Sequence, residues 1–383
     1  MPYRTQSDSQ VYVYSRKASI SWFPLGHKLS AAPHRLYSRQ DPQPVHAPKL
    51  RLWNSALART LDLAAVDFQR EEELEQLAVL FSGNQVPSGA RPLAQAYAGH
   101  QFGNFTKLGD GRAILIGEHL TAAGKRVDIQ LKGAGITPYS RGGDGRATRK
   151  AMLREYLISE AMHALGIPSS RSLAVVETGE QVWRQEKESG AILTRVMSSH
   201  LRVGTFQYAR HFLDVSALQA LLTYTIERHY PELRDVSNPA LALLEAVMER
   251  QIQLVVHWLR VGFIHGVMNT DNMSICGETF DYGPCAFLNT YDPATVFSSI
   301  DSQGRYAFGN QPGIAQWNLA ALAGALLPLV ATDEKQATEL CTALLNDFPR
   351  RFTAAQWEMY AHKMVSQALK KRDKGFFKIS WPF

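Results

Sequence analysis

Between His265 and Gly283 the chain reads HGVMNTDNMSICGETFDYG, setting Asp271 beside Asn272 and a second acid, Asp281, ten residues after the first. Carboxylate and amide oxygens in that pattern suit a hard cation held against phosphate oxygens. Gly266, Gly277 and Gly283 punctuate the stretch and are expected to take backbone geometry that other residues resist. Asp-Tyr-Gly by itself would be a polar turn with solvated acids. The acid–amide pair, the later acid and the basic partners upstream together point to a nucleotide and a metal.

Transfer of a phosphate-bearing group needs an acid to handle the acceptor proton, oxygen ligands for metal, and cations for the phosphates. In RVDIQLK, Val127, Ile129 and Leu131 alternate with Asp128, Gln130 and Lys132. That alternation predicts a half-buried strand with Lys132 at its end, on the face away from the core. A helix from about Ala147 to Leu165 is predicted next, with a core stripe of Ala151, Tyr156, Ala161 and Leu165, and Met152 and Leu157 between. Glu155 lies on it; a lysine strand followed by a glutamate helix is the order a Lys–Glu pair over phosphates requires. As a lone residue, Glu155 would be an exposed helix acid.

Two glycine-rich basic loops flank the lysine strand. Gly109, Asp110 and Gly111, followed by Arg112, are predicted as a hairpin turn between two apolar segments. TPYSRGGDGRA carries Asp144 and Gly145, and backbone N–H groups of such a loop can bind anions. Arg195 and Arg202 bracket the step into the second half of the chain; arginine grips phosphate in a bidentate way, although either alone would be a surface ion-pair partner.

These residues need elements to hold them. Residues 1–48 lack sustained periodicity, QDPQPVHAPK reads as an extended arm, and Leu50–Leu61 and Glu71–Phe81 read as short helices. Strands are predicted at 172–178 and 191–197 with a polar loop between, then long helices at Val215–Tyr230 and Pro239–Val261, the second leading into His265. PCAFLN reads as a strand, and Gln311–Val330 and Ala354–Lys371 as helices. The longest apolar run, Leu319–Ala331, contains Gly324 and Pro328 and is too short to span a bilayer, so a buried helix is expected.

At 383 residues, 45% hydrophobic and 20% charged, the chain has the composition of a globular protein with room for two or three domains. The net charge of +6 is spread out apart from Lys370–Lys378, fitting anion handling without a nucleic-acid motif. Cys276, Cys285 and Cys341 form no zinc spacing and fit a reducing compartment. The expectation is a cytoplasmic protein with no nucleic-acid or membrane partner. The Arg- and Ser-rich first forty residues admit a mitochondrial presequence, against which Pro2, Pro24 and Pro33 argue.

GHQFG, LGDGRA, QLKGAG, TPYSRGGDGRA, HGVMNTDNMS, DYGP and NQPGIAQWNL, between Pro92 and Val330, resemble the selenoprotein O (SelO) family of protein adenylyltransferases. The resemblance implies an α+β, protein-kinase-like bilobal fold with a β-rich N-lobe and a mainly helical C-lobe. It divides the chain into an N-terminal arm with helices packing on the N-lobe (1–90), the N-lobe itself (91–200) and the C-lobe (201–383). It further implies that ATP binds inverted and that AMP passes to Ser, Thr or Tyr hydroxyls of proteins.

Carried over by motif, the resemblance makes Lys132 the phosphate lysine and Glu155 its partner. Gly109, Gly111, Arg112, Asp144 and Gly145 lie along the nucleotide, Arg195 and Arg202 hold the far phosphates, Asp271 accepts the proton, and Asn272 with Asp281 binds Mg²⁺ or Mn²⁺. In AMP transfer pyrophosphate departs, so positive charge at the β- and γ-phosphates is catalytically useful. Asn directly after the catalytic Asp departs from ordinary kinases and agrees with this family. Relative to the family, a shortened C-lobe and an ending, FFKISWPF, without the Cys or selenocysteine linked to redox control are also expected. The alternatives are a kinase-type phosphotransferase and an ATP-binding scaffold impaired in catalysis.

Overall fold

The computed structural model describes residues 25–26, 35–63 and 65–372, with side chains from Arg35 to Met364 apart from Ala64. The presequence reading of residues 1–24, the side chains of Lys370–Lys378 and the FFKISWPF ending lie outside the described residues.

The first half of the chain builds an antiparallel sheet. Its elements are β1 (Leu25–Gly26), β2 (Tyr37–Arg39), β3 (Lys49–Trp53), α1 (Ser55–Thr60), α2 (Glu71–Phe81), β4 (Leu93–Gln101), β5 (Asn104–Gly109), β6 (Ala113–Leu120), β7 (Arg126–Lys132), α3 (Arg149–Ala164), β8 (Arg171–Trp183) and β9 (Lys187–Met197). The strand order is β2-β4-β6-β7-β9-β8-β3, with β1 beside β6 and β5 beside β4. The second half is helical: α4 (Val203–Phe212), α5 (Val215–His229), α6 (Pro239–Val261), a short β10–β11 pair (Phe263–Ile264, Ala286–Phe287), α7 (Gln311–Val330), α8 (Glu334–Asn346) and α9 (Phe348–Arg372). This is an α+β protein with a sheet half and a helical half.

Several local expectations change. Leu50–Leu61 is not one helix: its start is edge strand β3, paired with β8, and only α1 after the Asn54 N-cap is helical. The segments flanking Gly109–Gly111 do not pair with each other. They are β5 and β6, and each pairs instead with β4, whose Leu93 faces Leu115 of β6 and whose Ala96–Gln101 faces β5. The hairpin therefore turns one step earlier, at Phe102 and Gly103, both with positive φ (51° and 90°). Asp110 cannot sit in a solvent turn because its buried carboxylate accepts from the Gln95 N–H and pairs with Arg202. The polar loop expected between 178 and 191 continues the β8–β9 ladder, through Gln181↔Ser189 to Trp183↔Lys187.

Strand β7 is central, between β6 and β9, and Val127–Lys132 is buried on both faces rather than one. Its polar face is filled by partners: Asp128 meets Arg228 and His200, Gln130 meets Arg195, and Lys132 meets Glu155. Helix α3 is rotated from its predicted stripe. Met152, Glu155, Ser159 and Met162 are buried, while Leu157 and Leu165 are exposed. Polar groups can take the inner face because each is paired there, Glu155 with two cations and Ser159 with Ser172.

The long helices match expectation more closely. Helix α6 starts at Asn238, whose side chain caps Leu241 N, with Pro239 in the first turn, and ends at Gly262 in the left-handed region (φ 72°). Helices α4 and α8 were not anticipated. Helix α7 is long and apolar enough to cross a membrane by length and composition, but Ala315, Leu319, Leu322 and Leu326 are buried in the largest apolar core, against α4, α6 and α8.

Candidate active site

Strand β7 ends at the junction of the two halves and delivers Lys132 there, 5% exposed. Its Nζ lies 2.7 Å from Glu155 Oε2 and 2.5 Å from Asp281 Oδ1. Arg195, on neighbouring β9, mirrors it: Nε bonds Glu155 Oε1 at 2.5 Å, and Nη2 bonds Asp281 Oδ1 at 2.6 Å. Two cations and two carboxylates thus form a closed square across the lobes. Burial alone would raise Glu155 and Asp281, yet Arg195 and Lys132 hold Glu155 below the usual carboxylate range. Lys132, Arg195 and Arg112 hold Asp281 well below it.

Asp281 carries its own backbone strain, with φ 62°. Gly283 was expected to supply such geometry but does not; Gly266 and Gly277 do, at 82° and 77°. At Gly266 a side chain would also run into the Pro284 carbonyl. The Gly283 N–H closes back on the Asp281 carbonyl at 2.8 Å, a tight turn that aims the Asp281 carboxylate at β7 and β9.

Asp271 sits in a short 3-10 turn, Thr270–Asn272, and its Oδ1 is buried without a hydrogen-bond partner. Burial raises its pKa to about 6, against the opposing pull of Arg202. The turn is clamped from both lobes. The His100 N–H donates to Thr270 Oγ1 at 2.7 Å, and the Phe102 N–H donates to Asn269 Oδ1 at 3.1 Å. From α7, Asn318 Nδ2 donates to the Met268 carbonyl at 3.0 Å, while the His265 N–H donates to Gln311 Oε1 at 3.0 Å. Gly99 is required: any Cβ there would collide with the Asp271 carboxylate.

Arg202 lies beneath this turn, with its guanidinium 4.0 Å from the Tyr97 ring centroid. It donates to the Asp271 carbonyl at 3.2 Å, the His200 carbonyl at 3.3 Å and Asp110 Oδ1 at 3.3 Å. Arg112 is exposed at the mouth of the cluster, near enough to act on Asp281 and Lys132. Gly109 and Gly111 are packed against Tyr139, leaving no room for a side chain. Gly145 (φ 65°) is pressed onto Gly135, whose N–H donates to its carbonyl at 3.1 Å. This pins the second glycine-rich loop to the KGAG turn after Lys132. Asp144 is exposed and bound by Arg184 at 2.8 and 3.1 Å.

Lys132, Glu155, Arg195 and Asp281 are therefore in direct contact. Asp271, Asn272 and Arg202 form the adjoining turn, and the glycine loops form a rim. Sequence reasoning gave no role to Gly99, Asn269, Thr270, Gln311 or Asn318, and gave Asp110 only a turn. Gly99, Gln311 and Asn318 lie in GHQFG and NQPGIAQWNL, and Asn269 and Thr270 in HGVMNTDNMS, where their work is to hold the turn.

The oxygen set fits a hard cation. Asn272 Nδ2 donates to the Val267 carbonyl at 3.1 Å, which leaves its amide oxygen to act as a ligand. The protein bonds to Asp281 fall on Oδ1. Among the described residues no cluster of three or more His, Cys, Asp or Glu could hold a metal alone. Mg²⁺-type sites built from one or two carboxylates completed by substrate phosphates have this composition.

The family described as "Protein adenylyltransferase SelO" matches residues 25–376. The protein nucleotidyltransferase YdiU of Anoxybacillus flavithermus is 62% identical over 317 residues, covering 83% of this chain and 65% of that protein. The protein of the same name from Brevibacillus brevis is 59% identical over 320 residues, covering 84% and 64%. That from Nitrosococcus oceani is 57% identical over 344 residues, covering 90% and 69%. The chain thus spans slightly under two thirds of the length of the first two relatives. Among solved structures, ROP2 from Toxoplasma gondii, described as a virulence factor with a protein-kinase fold and no enzymatic activity, aligns at 12% identity with a TM-score of 0.31, over 67% of this chain and 87% of that one.

Proposed function

Because the chain belongs to the SelO family, we propose that it catalyses metal-dependent transfer of AMP from ATP to hydroxyl groups of Ser, Thr or Tyr in proteins, releasing pyrophosphate. The observation that carries this reading is the convergence of Lys132 and Arg195 on one oxygen of Asp281, beside the unpartnered Oδ1 of Asp271. Two cations sharing a carboxylate oxygen can exchange part of that contact for phosphate oxygens when a nucleotide enters. A charge-rich pair placed behind the metal ligand suits a pyrophosphate leaving group.

In this proposal Lys132, held by Glu155, and Arg195 take the β- and γ-phosphates. Arg202 joins them through the one N–H on each terminal nitrogen that its three contacts leave over. Gly109, Gly111, Arg112, Asp144 and Gly145 line the nucleotide. Asn272 and Asp281 hold Mg²⁺ or Mn²⁺, which when bound neutralises charge on the phosphate oxygens. Asp271 accepts the acceptor hydroxyl's proton; a carboxylate raised to about 6 is better matched to that task near neutral pH than an ordinary one.

The deciding experiment incubates the protein and a protein acceptor with ATP labelled separately at the α- and γ-phosphates. Retention of the α-label with release of the γ-label is the expected result. Retention of γ-label alone would replace this reading with a phosphotransferase.

A further inference from the structure

On the far side of the lobe junction, away from Asp271 and Asp281, the structure contains a cavity of about 370 Å³. It is lined by the β6–β7 turn (Gly124, Lys125), Arg126 at the start of β7, the end of α5 (Glu227, Arg228, His229), Arg250 of α6, Ser198 and Cys276. Four of these are permanent cations and one is an acid. Lys125 and Arg126 have no ion pair among the described residues, whereas Arg228 is paired on its other side with Glu118 and Asp128.

We propose that this cavity is a binding site for a small phosphorylated ligand, separate from the nucleotide site. The volume is many times one water's share of about 30 Å³ and falls within the range of small-molecule sites, about 300–1,000 Å³. The lining is built for an anion. The Arg228 side chain is only 3% exposed, and its Nε has no acceptor. His229 Nε2 is likewise buried without a partner; burial first, and then Arg228, lower its pKa to about 3, so it stays neutral, and its Nε2–H tautomer has a donor for an anion to accept. A buried donor left unmet is destabilising unless a ligand satisfies it. Arg250 is fixed over the Tyr230 ring, 4.0 Å from its centroid, by bonds to the Cys276 and His229 carbonyls. Lys125 and Arg126, without an ion pair among the described residues, line the mouth.

The site is physically continuous with the catalytic turn. Arg228 bonds Asp128 at 2.6 Å, and Asp128 holds the His200 ring and N–H at 3.0 and 2.8 Å. The His200 carbonyl receives Arg202, which bonds the Asp271 carbonyl. An anion on Arg228 would thus draw on the charge that positions Arg202.

The test titrates inorganic phosphate and pyrophosphate calorimetrically into the full chain, into the Lys125→Ala/Arg126→Ala double variant and into Lys132→Ala. Lys125 is exposed in the β6–β7 turn and Arg126 opens β7, half-buried, and the double variant's melting temperature is measured alongside; Lys125→Ala alone serves if the double variant is unstable. The expected result is a binding event that the cavity variant weakens about ten-fold or more and that Lys132→Ala retains. Affinity unchanged in the cavity variant, binding abolished in a Lys132→Ala variant whose melting curve shows it folded, or no binding by the unaltered chain would each overturn the proposal. Because the readout is anion binding, it is independent of whether AMP transfer occurs.

Discussion

Asp281 and Asp271 are the same residue type, ten positions apart, at one lobe junction, and they are held in opposite states. Asp281 has Lys132 and Arg195 on a single oxygen and is driven well below the ordinary carboxylate range. Asp271 is buried as its neighbour Arg202 spends its bonds on the backbone carbonyl rather than the carboxylate, and it is raised to about 6. Burial acts in the same direction on both; the direction of the cations decides between them. One acid is kept charged for binding, while the other keeps affinity for a proton.

Five substitutions would break or sharpen this contrast. The largest effect is expected at Asp281: Asp281→Ala should abolish transfer and lower metal-dependent ATP affinity together, as read by α-label incorporation and calorimetric titration. Normal ATP affinity in that variant would remove Asp281 from the metal site.

Asp271→Asn should keep most nucleotide affinity and lose about 10²–10⁴ in transfer rate, the usual worth of a general base. Its stability should change in the opposite sense. The folded-state pKa is above the ordinary value of 3.8, so between those values the folded state binds more protons than the unfolded one. Stability therefore falls as pH rises from about 4 to about 6. Asp271→Asn should remove that loss, gaining on the order of 2 kcal/mol at pH 7 and nothing below pH 4, measured by urea unfolding across pH. A variant less stable than the parent at pH 7 would show that Asp271 is not an unsatisfied acid.

Glu155→Gln removes one charge shared by Lys132 and Arg195. Its expected destabilisation is about 3 kcal/mol, the lower end for breaking a buried pair, seen as a lower urea midpoint at unchanged slope. Lys132 was expected on an open strand face. Its burial between two carboxylates means that Lys132→Ala should also destabilise, so loss of ATP binding there must be read beside a melting curve. The smallest effect belongs to Asp144→Ala, which breaks an exposed pair with Arg184 worth less than about 1 kcal/mol. A large fall in ATP affinity with unchanged stability would place Asp144 on the nucleotide.

The sequence determined the order of the chemistry. The alternation of RVDIQLK located Lys132 on a strand, the Asp–Asn pair and Asp-Tyr-Gly marked the candidate oxygen ligands, and helical spacing with Pro and Gly signals fixed α5, α6 and α7 closely. These are local properties, set by side-chain type and spacing along the chain. The tertiary structure decided which face of each element is inside. Helix α3 turns Glu155 and Ser159 inward in place of Leu157 and Leu165, because cations from β7 and β9 and a hydroxyl from β8 satisfy them. Periodicity cannot reveal that, since a polar residue reads as solvent-facing until its partner, distant in sequence, is brought to it. The same holds for Asp110, drawn from a turn to Arg202 ninety-two residues away, and for the opposite pKa shifts of Asp271 and Asp281. A pKa depends on charges a few ångströms off in space, and the chain alone does not say which those are.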